Sequence, residues 1–296
     1  MRFGRLGRNR LSYVLTVAAP LVGASLCFVQ RSHAEVTTSQ AESGSPVSSA
    51  ENNLAMQTMS NISLGIGGSD ESGDFGAAKT TNIASTLATV TYRADNLRLT
   101  ASVPWMRIDS PGAVFTGIEG SPIIANPSTT GGKTLREGLG DLTVGASYLL
   151  PATLLQGLDT VLSVRVKIPT AMQSSRLSTG EVDYSVGATV SKTIGRYSPL
   201  VSIFYRNFGN GPNFQLKDGF ATSIGTTYAF SPRIVGLLTY DYAQRASQYI
   251  ADGHQITTSV TSLLPNSPVR VTAFISGGLS SPTESESRGW TGVMSW

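Results

Sequence analysis

Alternation of apolar and polar residues with a period of two runs through most of this chain and constrains its fold more than any other feature. Twelve segments of about ten to fourteen residues carry the pattern: 55–67, 80–92, 96–107, 139–150, 158–169, 181–194, 199–208, 218–230, 232–245, 253–264, 268–280 and 288–296. A period of two predicts β-strands with one apolar and one polar face. Short turns and longer loops alternate between the segments, which predicts an up-and-down barrel with an even number of strands.

The composition places this barrel in a membrane. Charged residues make up 14% of the chain, against roughly a quarter in a soluble globular domain. No segment after residue 34 has the roughly twenty unbroken apolar residues that a transmembrane helix needs. We therefore expect an all-β fold, a transmembrane antiparallel up-and-down β-barrel of about 12 strands and of the bacterial outer-membrane type. The alternative, a secreted β-sandwich, would carry more charge on its outer faces.

Charged residues recur on the polar faces of the predicted strands. In segment 158–169, Arg165 and Lys167 share one face, opposite Val164 and Val166. A charged side chain that faces lipid at the midplane costs about 2–4 kcal/mol, so the polar faces are predicted to line the lumen. The predicted lumen residues are Asp141, Arg165, Lys167, Glu181, Asp183, Arg206, Asp241 and Arg245 in the outer half, and Arg98, Arg233 and Arg270 at the periplasmic end.

These inward charges have two interpretations. They either select the solutes that pass through the lumen, or they form a cross-strand ladder of ion pairs that holds the wall together. The strand order places Arg165 between Asp141 and Asp183, so the second interpretation predicts that Arg165 pairs with both. A barrel of about twelve strands has a lumen wider than a side-chain-filled barrel and narrower than a general porin. This favours a narrow, partly selective channel.

The longest predicted loop, 108–138, contains apolar residues among Gly, Pro, Ser and Thr. They are Val114, Phe115, Ile118, Ile123 and Ile124. Apolar side chains in an exposed loop favour a loop that folds into the barrel mouth, as a constriction or a hydrophobic capture site. The alternative is a surface loop without such a role.

Both ends of the chain predict export to the outer membrane. Residues 1–34 combine an n-region with four Arg, an apolar stretch and a small-residue cleavage site, and they are predicted to be a cleaved secretory signal peptide rather than a membrane anchor. Residues 35–53 are predicted to be a flexible periplasmic lead-in, and 54–296 the barrel. Trp290 and Trp296, in the last alternating segment, are predicted to form an assembly signal for the barrel-assembly machinery. Other expected partners are outer-membrane lipids, lipopolysaccharide and a small-molecule solute, but no nucleic acid.

Two stretches of the sequence resemble a known family. Residues 137–145 resemble the Gly-x-Gly-Asp strand start of the outer-membrane barrels linked to the meta-pathway of phenol degradation. Residues 167–170, with 180–183, resemble that family's Lys-x-Pro-Thr-Gly…Gly-x-x-Asp stretch, although Ala171 stands where the family has Gly. The resemblance is clearest over 137–210. It implies an outer-membrane channel for aromatic or other hydrophobic compounds.

Enzymatic chemistry is not expected from these residues. After residue 34 the sequence has one histidine, His254, followed by Gln and Ile. The His-x-Ser pair of a twelve-stranded outer-membrane phospholipase is therefore missing its hydroxyl. We expect no cofactor and no metal, and we interpret Asp70, Glu71 and Asp74 as a solvated acidic loop rather than as a weak cation site.

The predicted function is passive diffusion of small, aromatic or hydrophobic solutes through an outer-membrane channel. The alternative is a non-conducting structural or adhesive barrel that acts through its extracellular loops. An enzyme at the outer rim is a distant third possibility.

Overall fold

The computed structural model describes residues 13–16, 27–30, 61–73, 80–111, 113–118, 122–126, 134–155, 157–211, 215–248, 251–279 and 284–295. Two short strands, β1 (Tyr13–Thr16) and β2 (Cys27–Gln30), pair with each other. The rest of the predicted signal peptide, the whole predicted lead-in and Trp296 lie outside the described residues.

Fifteen further strands follow. They are β3 (Ile62–Gly73), β4 (Thr81–Ala94), β5 (Leu97–Ser110), β6 (Ala113–Thr116), β7 (Pro122–Asn126), β8 (Thr134–Leu139), β9 (Leu142–Leu150), β10 (Asp159–Ile168), β11 (Asp183–Ser191), β12 (Tyr197–Asn207), β13 (Gly219–Ser231), β14 (Ile234–Ala243), β15 (Gly253–Leu263), β16 (Val269–Gly278) and β17 (Glu284–Ser295). Short 3-10 helices occur at Ala152–Leu155 and Gln173–Ser175. Within the described ranges, no helix has both the length and the apolar character needed to cross a membrane.

Twelve of these strands close into one antiparallel barrel. The order around the wall is β3, β4, β5 and then β9 to β17, and β17 pairs back onto β3. Each strand has a partner on both sides, so the wall has no free edge. In the closing pair, Trp290 on β17 lies opposite Gly68 of β3 in backbone register. The predicted antiparallel up-and-down barrel of about twelve strands is confirmed.

The two rims of the barrel differ in the length of their connections. We call the end with connections 95–96, 151–158, 192–196, 232–233 and 264–268 the short-turn rim, and the end with 74–80, 111–133, 169–182, 208–218, 244–252 and 279–283 the long-loop rim. This asymmetry is the one that outer-membrane barrels show between their periplasmic and outer ends.

Side chains alternate between the two faces of the wall. In β10, Leu162 is 46% and Val164 44% exposed on the outer face, whereas Lys167 is 2% exposed on the inner face. Outward apolar residues occur on strands around the barrel, among them Ile66, Val90, Val201, Ile224, Leu238 and Val260. Near the short-turn rim, the Tyr228 ring lies 4.7 Å from that of Tyr197 and 4.9 Å from that of Phe230. An apolar band edged by aromatic rings is the outer surface of a transmembrane barrel.

The first barrel strand differs from its prediction. It begins at Ile62 and continues to Gly73, because the glycine-rich stretch at 65–68 pairs with β4 on one side and β17 on the other. Asp70 is therefore an exposed strand residue, and Glu71 points inward and is 1% exposed. The interpretation of these two residues as a solvated loop was wrong, and Asp74 lies outside the described residues.

A one-residue bulge joins β8 to β9 into one long, bent strand. Both pair with β5, and their register against β5 shifts by one residue between Ser102 and Trp105. Two residues of β5 there face three residues, 140–142, of the partner, as in a β-bulge. Asp141 lies in this bulge and points into the barrel, where it is 4% exposed.

Candidate functional site

Three charged residues from neighbouring strands meet inside the barrel near the long-loop rim. The Lys167 Nζ lies 2.9 Å from Asp183 Oδ2 and 3.3 Å from Asp141 Oδ2. The register explains this contact, because Lys167 lies directly opposite Asp183 on β11 and opposite Thr143, close to the bulge, on β9. We call Asp141, Lys167 and Asp183 the ion cluster.

Asp141 holds the loop 169–182. Its Oδ1 accepts a hydrogen bond from the backbone N–H of Ala171 (3.1 Å), and its Oδ2 accepts one from the Ser178 hydroxyl. The lysine of the ion cluster donates to the same loop at Thr179 Oγ1 (3.1 Å). The loop is therefore bound to the cluster at three residues.

Asp183 holds two further segments. Its Oδ2 accepts a hydrogen bond from the backbone N–H of Ile118 (3.1 Å), and its Oδ1 accepts one from the backbone N–H of Gly209 (2.9 Å). Ile118 follows β6, which pairs with β7 in a hairpin over residues 113–126 that we call the inner hairpin. Position 209 requires a glycine, because a Cβ there would lie 2.8 Å from the Val182 carbonyl oxygen.

The first strand of the inner hairpin packs against the barrel wall. Val114 is 1% exposed and belongs to one apolar cluster with Ile83 of β4, Met106 and Ile108 of β5, and Leu177 of the loop 169–182. We call this the wall cluster. Its β4 residue, Ile83, is an apolar side chain on the inner face of the wall and is 2% exposed.

The turn and second strand of the inner hairpin pack against two other loops. Ile118 and Ile123, both 0% exposed, form a cluster with Phe208, Leu216 and Ala246. We call this the loop cluster, since the last three residues come from loops 208–218 and 244–252. In the ring of twelve strands, β13 lies six positions from β4, so the inner hairpin crosses the barrel mouth from one side to the other.

The predicted loop residues thus have defined positions. Val114, Ile118 and Ile123 are buried, Phe115 is half-buried, and Ile124 lies on β7 opposite Val114 in backbone register. Their role in limiting solute passage stays a prediction.

Arg165 does not occupy the place that the ion-pair ladder predicted. The ion pairs to Asp141 and Asp183 are made by Lys167. Arg165 lies opposite Gly145 and Ser185, and its guanidinium carbon is 5.5 Å from the centroid of the Phe204 ring. That distance fits a cation–π contact on the inner face.

Arg206 and Asp241 also point inward, on β12 and β14. Arg206 is 3% exposed, and its Nη2 donates to the Gln244 carbonyl (2.9 Å) in the loop 244–252. Asp241 Oδ2 accepts hydrogen bonds from the hydroxyls of Thr239 (2.9 Å) and Thr257 (3.0 Å), both on the wall.

Three predicted lumen residues lie outside the strands. β11 begins only at Asp183, so Glu181 belongs to the preceding loop. β14 spans Ile234–Ala243, and Arg233 and Arg245 are exposed residues just before and after it. The predicted segments 181–194 and 232–245 extend beyond β11 and β14, and this placed the three residues on polar faces of strands. At the short-turn rim, Arg98 and Arg270 do lie on inward faces, of β5 and β16.

Arg136 and Leu177 are functional candidates that the sequence did not single out. Arg136 Nη1 donates to the Arg176 carbonyl (2.8 Å) and Nη2 to Ser110 Oγ (2.6 Å), which holds the loop 169–182 a second time. The alternation within 134–139, where Leu135 and Leu139 point outward, could have identified Arg136 as an inward residue. Leu177 belongs to an irregular loop, where no periodicity reports a face.

Two carboxylates hold the loops that form the loop cluster. Asp218 accepts hydrogen bonds from the Phe208 N–H (3.2 Å), the Tyr205 hydroxyl (2.8 Å) and Asn207 Nδ2 (2.8 Å). Partial burial raises the pKa of Asp218, but these donors together outweigh it and leave that pKa below its ordinary value. In the other loop, the Arg245 N–H lowers the pKa of Asp252, against partial burial and with help from the Tyr242 hydroxyl.

His254 lies beside two aromatic rings. The Tyr240 hydroxyl is 2.7 Å from its Nδ1, and the Tyr242 ring centroid is 5.1 Å from that of the imidazole. Among the residues that the structure describes, no group of three or more His, Cys, Asp or Glu could hold a metal ion.

No protein-family model matches the chain, and no curated protein matches its sequence. Among solved structures, an outer membrane channel from Pseudomonas putida F1 is 13% identical with a TM-score of 0.57, over 80% of this chain and 96% of that chain. The KdgM porin is 9% identical with a TM-score of 0.47, over 78% and 99% of the two chains. The CymD monoaromatic hydrocarbon channel is 10% identical with a TM-score of 0.45, over 81% and 90%. The likeness to the Pseudomonas channel shows that this chain has the fold of an outer-membrane β-barrel.

Proposed function

We propose that the protein is an outer-membrane channel through which small apolar or aromatic solutes pass by passive diffusion. The observation that carries this proposal is the inner hairpin, which crosses the mouth of a closed barrel with apolar side chains on both sides of it. The Pseudomonas outer membrane channel with the same fold supports a channel role. The resemblance of residues 137–210 to the barrels linked to phenol degradation favours aromatic solutes.

The residues at the mouth and those in the lumen both suit a small apolar or aromatic solute. At the mouth, the wall cluster and the loop cluster supply apolar surface that an aromatic ring can contact in place of the hairpin. Further in, small hydroxyl residues line the inner face. They are Ser185, Thr189, Ser202, Ser223, Thr239, Thr257, Ser259 and Thr272. An aromatic ring gains little from contact with these hydroxyl groups. The solute is therefore expected to bind at the entrance and to be released inside the lumen.

The same proposal includes the cellular setting. In this setting, residues 1–34 are a cleaved signal peptide. The barrel-assembly machinery inserts the barrel and recognises Trp290 and Trp296. Lipopolysaccharide contacts the long-loop rim. Each follows from the predicted export of the chain and from the barrel fold.

Single-channel recording in planar bilayers tests the proposal. Replacing residues 112–132 by a short Gly-Ser linker removes the inner hairpin, and we expect a several-fold larger unitary conductance than in the unmodified protein. A control carries the same linker in the turn 264–268 at the opposite rim and should conduct like the unmodified protein. Equal conductance of all three proteins would contradict a constriction by the hairpin.

A non-conducting barrel is the second candidate. It is favoured by the complete burial of Ile118 and Ile123, which pack the hairpin closely against the neighbouring loops. Silence of both the unmodified protein and the linker variant, with the barrel folded, would support this candidate and remove the channel.

A further inference from the structure

Two arginines face each other at the short-turn rim, far along the strands from the ion cluster. Arg93 on β4 and Arg98 on β5 are direct partners in register across the tight turn Asp95-Asn96. They line one pocket together with Ser147, Leu149 and Val161 of β9 and β10, and with residues 95–97 of the turn and the start of β5. The pocket opens at the end of the barrel opposite the inner hairpin.

Arg98 is a buried cation at this rim. It is 7% exposed, and its Nε is buried and has no hydrogen-bond partner among the described residues. Among the described residues, no carboxylate forms an ion pair with Arg98. The one acidic residue that lines the pocket, Asp95, is exposed in the turn. A buried charge is expensive unless it is paired, and like charges directly opposite each other destabilise a strand pair.

The residues around Arg98 indicate what would pair with it. A guanidinium presents a planar fork of N–H donors that fits a carboxylate through two parallel hydrogen bonds. Leu149 and Val161 supply apolar surface in the same pocket. We propose that the Arg93–Arg98 pocket is a binding site for the carboxylate of a small organic acid with an apolar body. The proposal concerns only the binding of a carboxylate, so it does not depend on whether the inner hairpin controls conductance.

The carboxylate can come from two sources. One is a free organic acid in the lumen. The other is the chain itself, because residues 35–53 contain Glu35, Glu42 and Glu51 but no Lys or Arg. The Arg93 N–H donates to the Asn61 carbonyl at 2.7 Å, so the chain enters the barrel beside the pocket.

Titration calorimetry of the detergent-solubilised protein tests the site, with benzoate as the probe and benzamide as its neutral isostere. We expect saturable binding of benzoate and at least tenfold weaker binding of benzamide, because the charge-assisted pair is lost. Arg98→Gln should weaken benzoate binding at least about tenfold. Arg98→Lys keeps the charge but not the planar fork of donors, so its affinity for benzoate should lie between those of the unmodified protein and Arg98→Gln. The matched control is Arg233→Gln, which removes an exposed arginine from the same rim and should bind like the unmodified protein.

Each outcome decides the proposal. Benzamide binding as tightly as benzoate, or Arg98→Gln binding like the unmodified protein, would overturn it, and so would an equal loss in Arg233→Gln. Migration of unboiled protein on a gel reports whether each barrel is folded. A variant with Glu35, Glu42 and Glu51 all changed to Gln separates the sources. Tighter benzoate binding in that variant assigns the natural carboxylate to the chain, and unchanged binding assigns it to a free acid.

Discussion

Asp183→Asn is expected to release the inner hairpin while the barrel stays closed. The amide keeps the shape of the side chain but leaves Lys167 with Asp141 alone, 3.3 Å away. Removing one partner of a buried ion pair costs about 3–5 kcal/mol. The amide has one oxygen and cannot accept from both the Ile118 and the Gly209 N–H, and an unsatisfied buried donor costs roughly 1–3 kcal/mol.

These costs fall on the closed position of the hairpin. When the hairpin leaves, water can reach Lys167 and the two freed N–H groups, so the open state does not carry the penalty. The lower ends of the two ranges total about 4 kcal/mol. A change of this size raises the ratio of open to closed hairpin by about 10³.

Hydrogen–deuterium exchange of the segment 113–126, read by mass spectrometry, measures this ratio through local opening. Asp241→Asn is the matched control, because it removes one inward carboxylate that accepts hydrogen bonds from Thr239 and Thr257, both on the wall. Faster exchange of 113–126 in Asp183→Asn but not in Asp241→Asn is the expected result. Unchanged exchange in Asp183→Asn, or an equal increase in both variants, would refute the reasoning.

Two further perturbations act on the same mouth. Gly117→Val should also speed the exchange of the hairpin, because a Cβ at this position would lie 2.5 Å from Ile123 Cδ1, and overpacking of this kind costs typically about 1–3 kcal/mol. Exchange as slow as in the unmodified protein would contradict this packing. The lowered pKa of Asp252, caused mainly by the Arg245 N–H, means that its stabilisation of the loop 244–252 is present above the unfolded-state pKa and is lost as the pH falls through the folded-state pKa. A spin label in that loop should therefore gain mobility on acidification, and Asp252→Asn should show this higher mobility already at neutral pH. Label mobility that does not change with pH in the unmodified protein would argue against this role of Asp252.

The wall of the barrel could be predicted from the sequence because each strand obeys a rule that does not depend on its neighbours. An outward side chain must be apolar and an inward one is free to be polar, so the period of two in 158–169 is enough to locate β10 (Asp159–Ile168) and its faces. The same rule gave the inward direction of Arg98 and Arg270. Where glycines lack a side chain, as at 65–68, the rule has no signal, and the end of β3 was missed.

The partners inside the barrel could not be predicted, because they depend on register and on loops. The register of β9 against β10 pairs Thr143 with Lys167 and Gly145 with Arg165, which places Asp141 beside Lys167, and the period of two in the sequence does not report that register. The apolar residues of 108–138 indicated an inward loop. Their contacts with Phe208 and Leu216 join segments about a hundred residues apart in the sequence, which only the closed ring brings together.

The ion cluster is better explained by the backbone groups it satisfies than by the strength of its ion pairs. Buried ion pairs are often replaced by apolar residues without loss of stability, so their presence alone is a weak stabilising argument. Here, however, the two carboxylates accept hydrogen bonds from the N–H groups of Ile118, Gly209 and Ala171, which belong to three different long-loop-rim connections. Loops that fold into a barrel lose water as a partner for such groups, and an apolar side chain could not accept from them. Lys167 lies within 3.3 Å of both carboxylates and holds them in place, so the cluster fixes where three inward connections end.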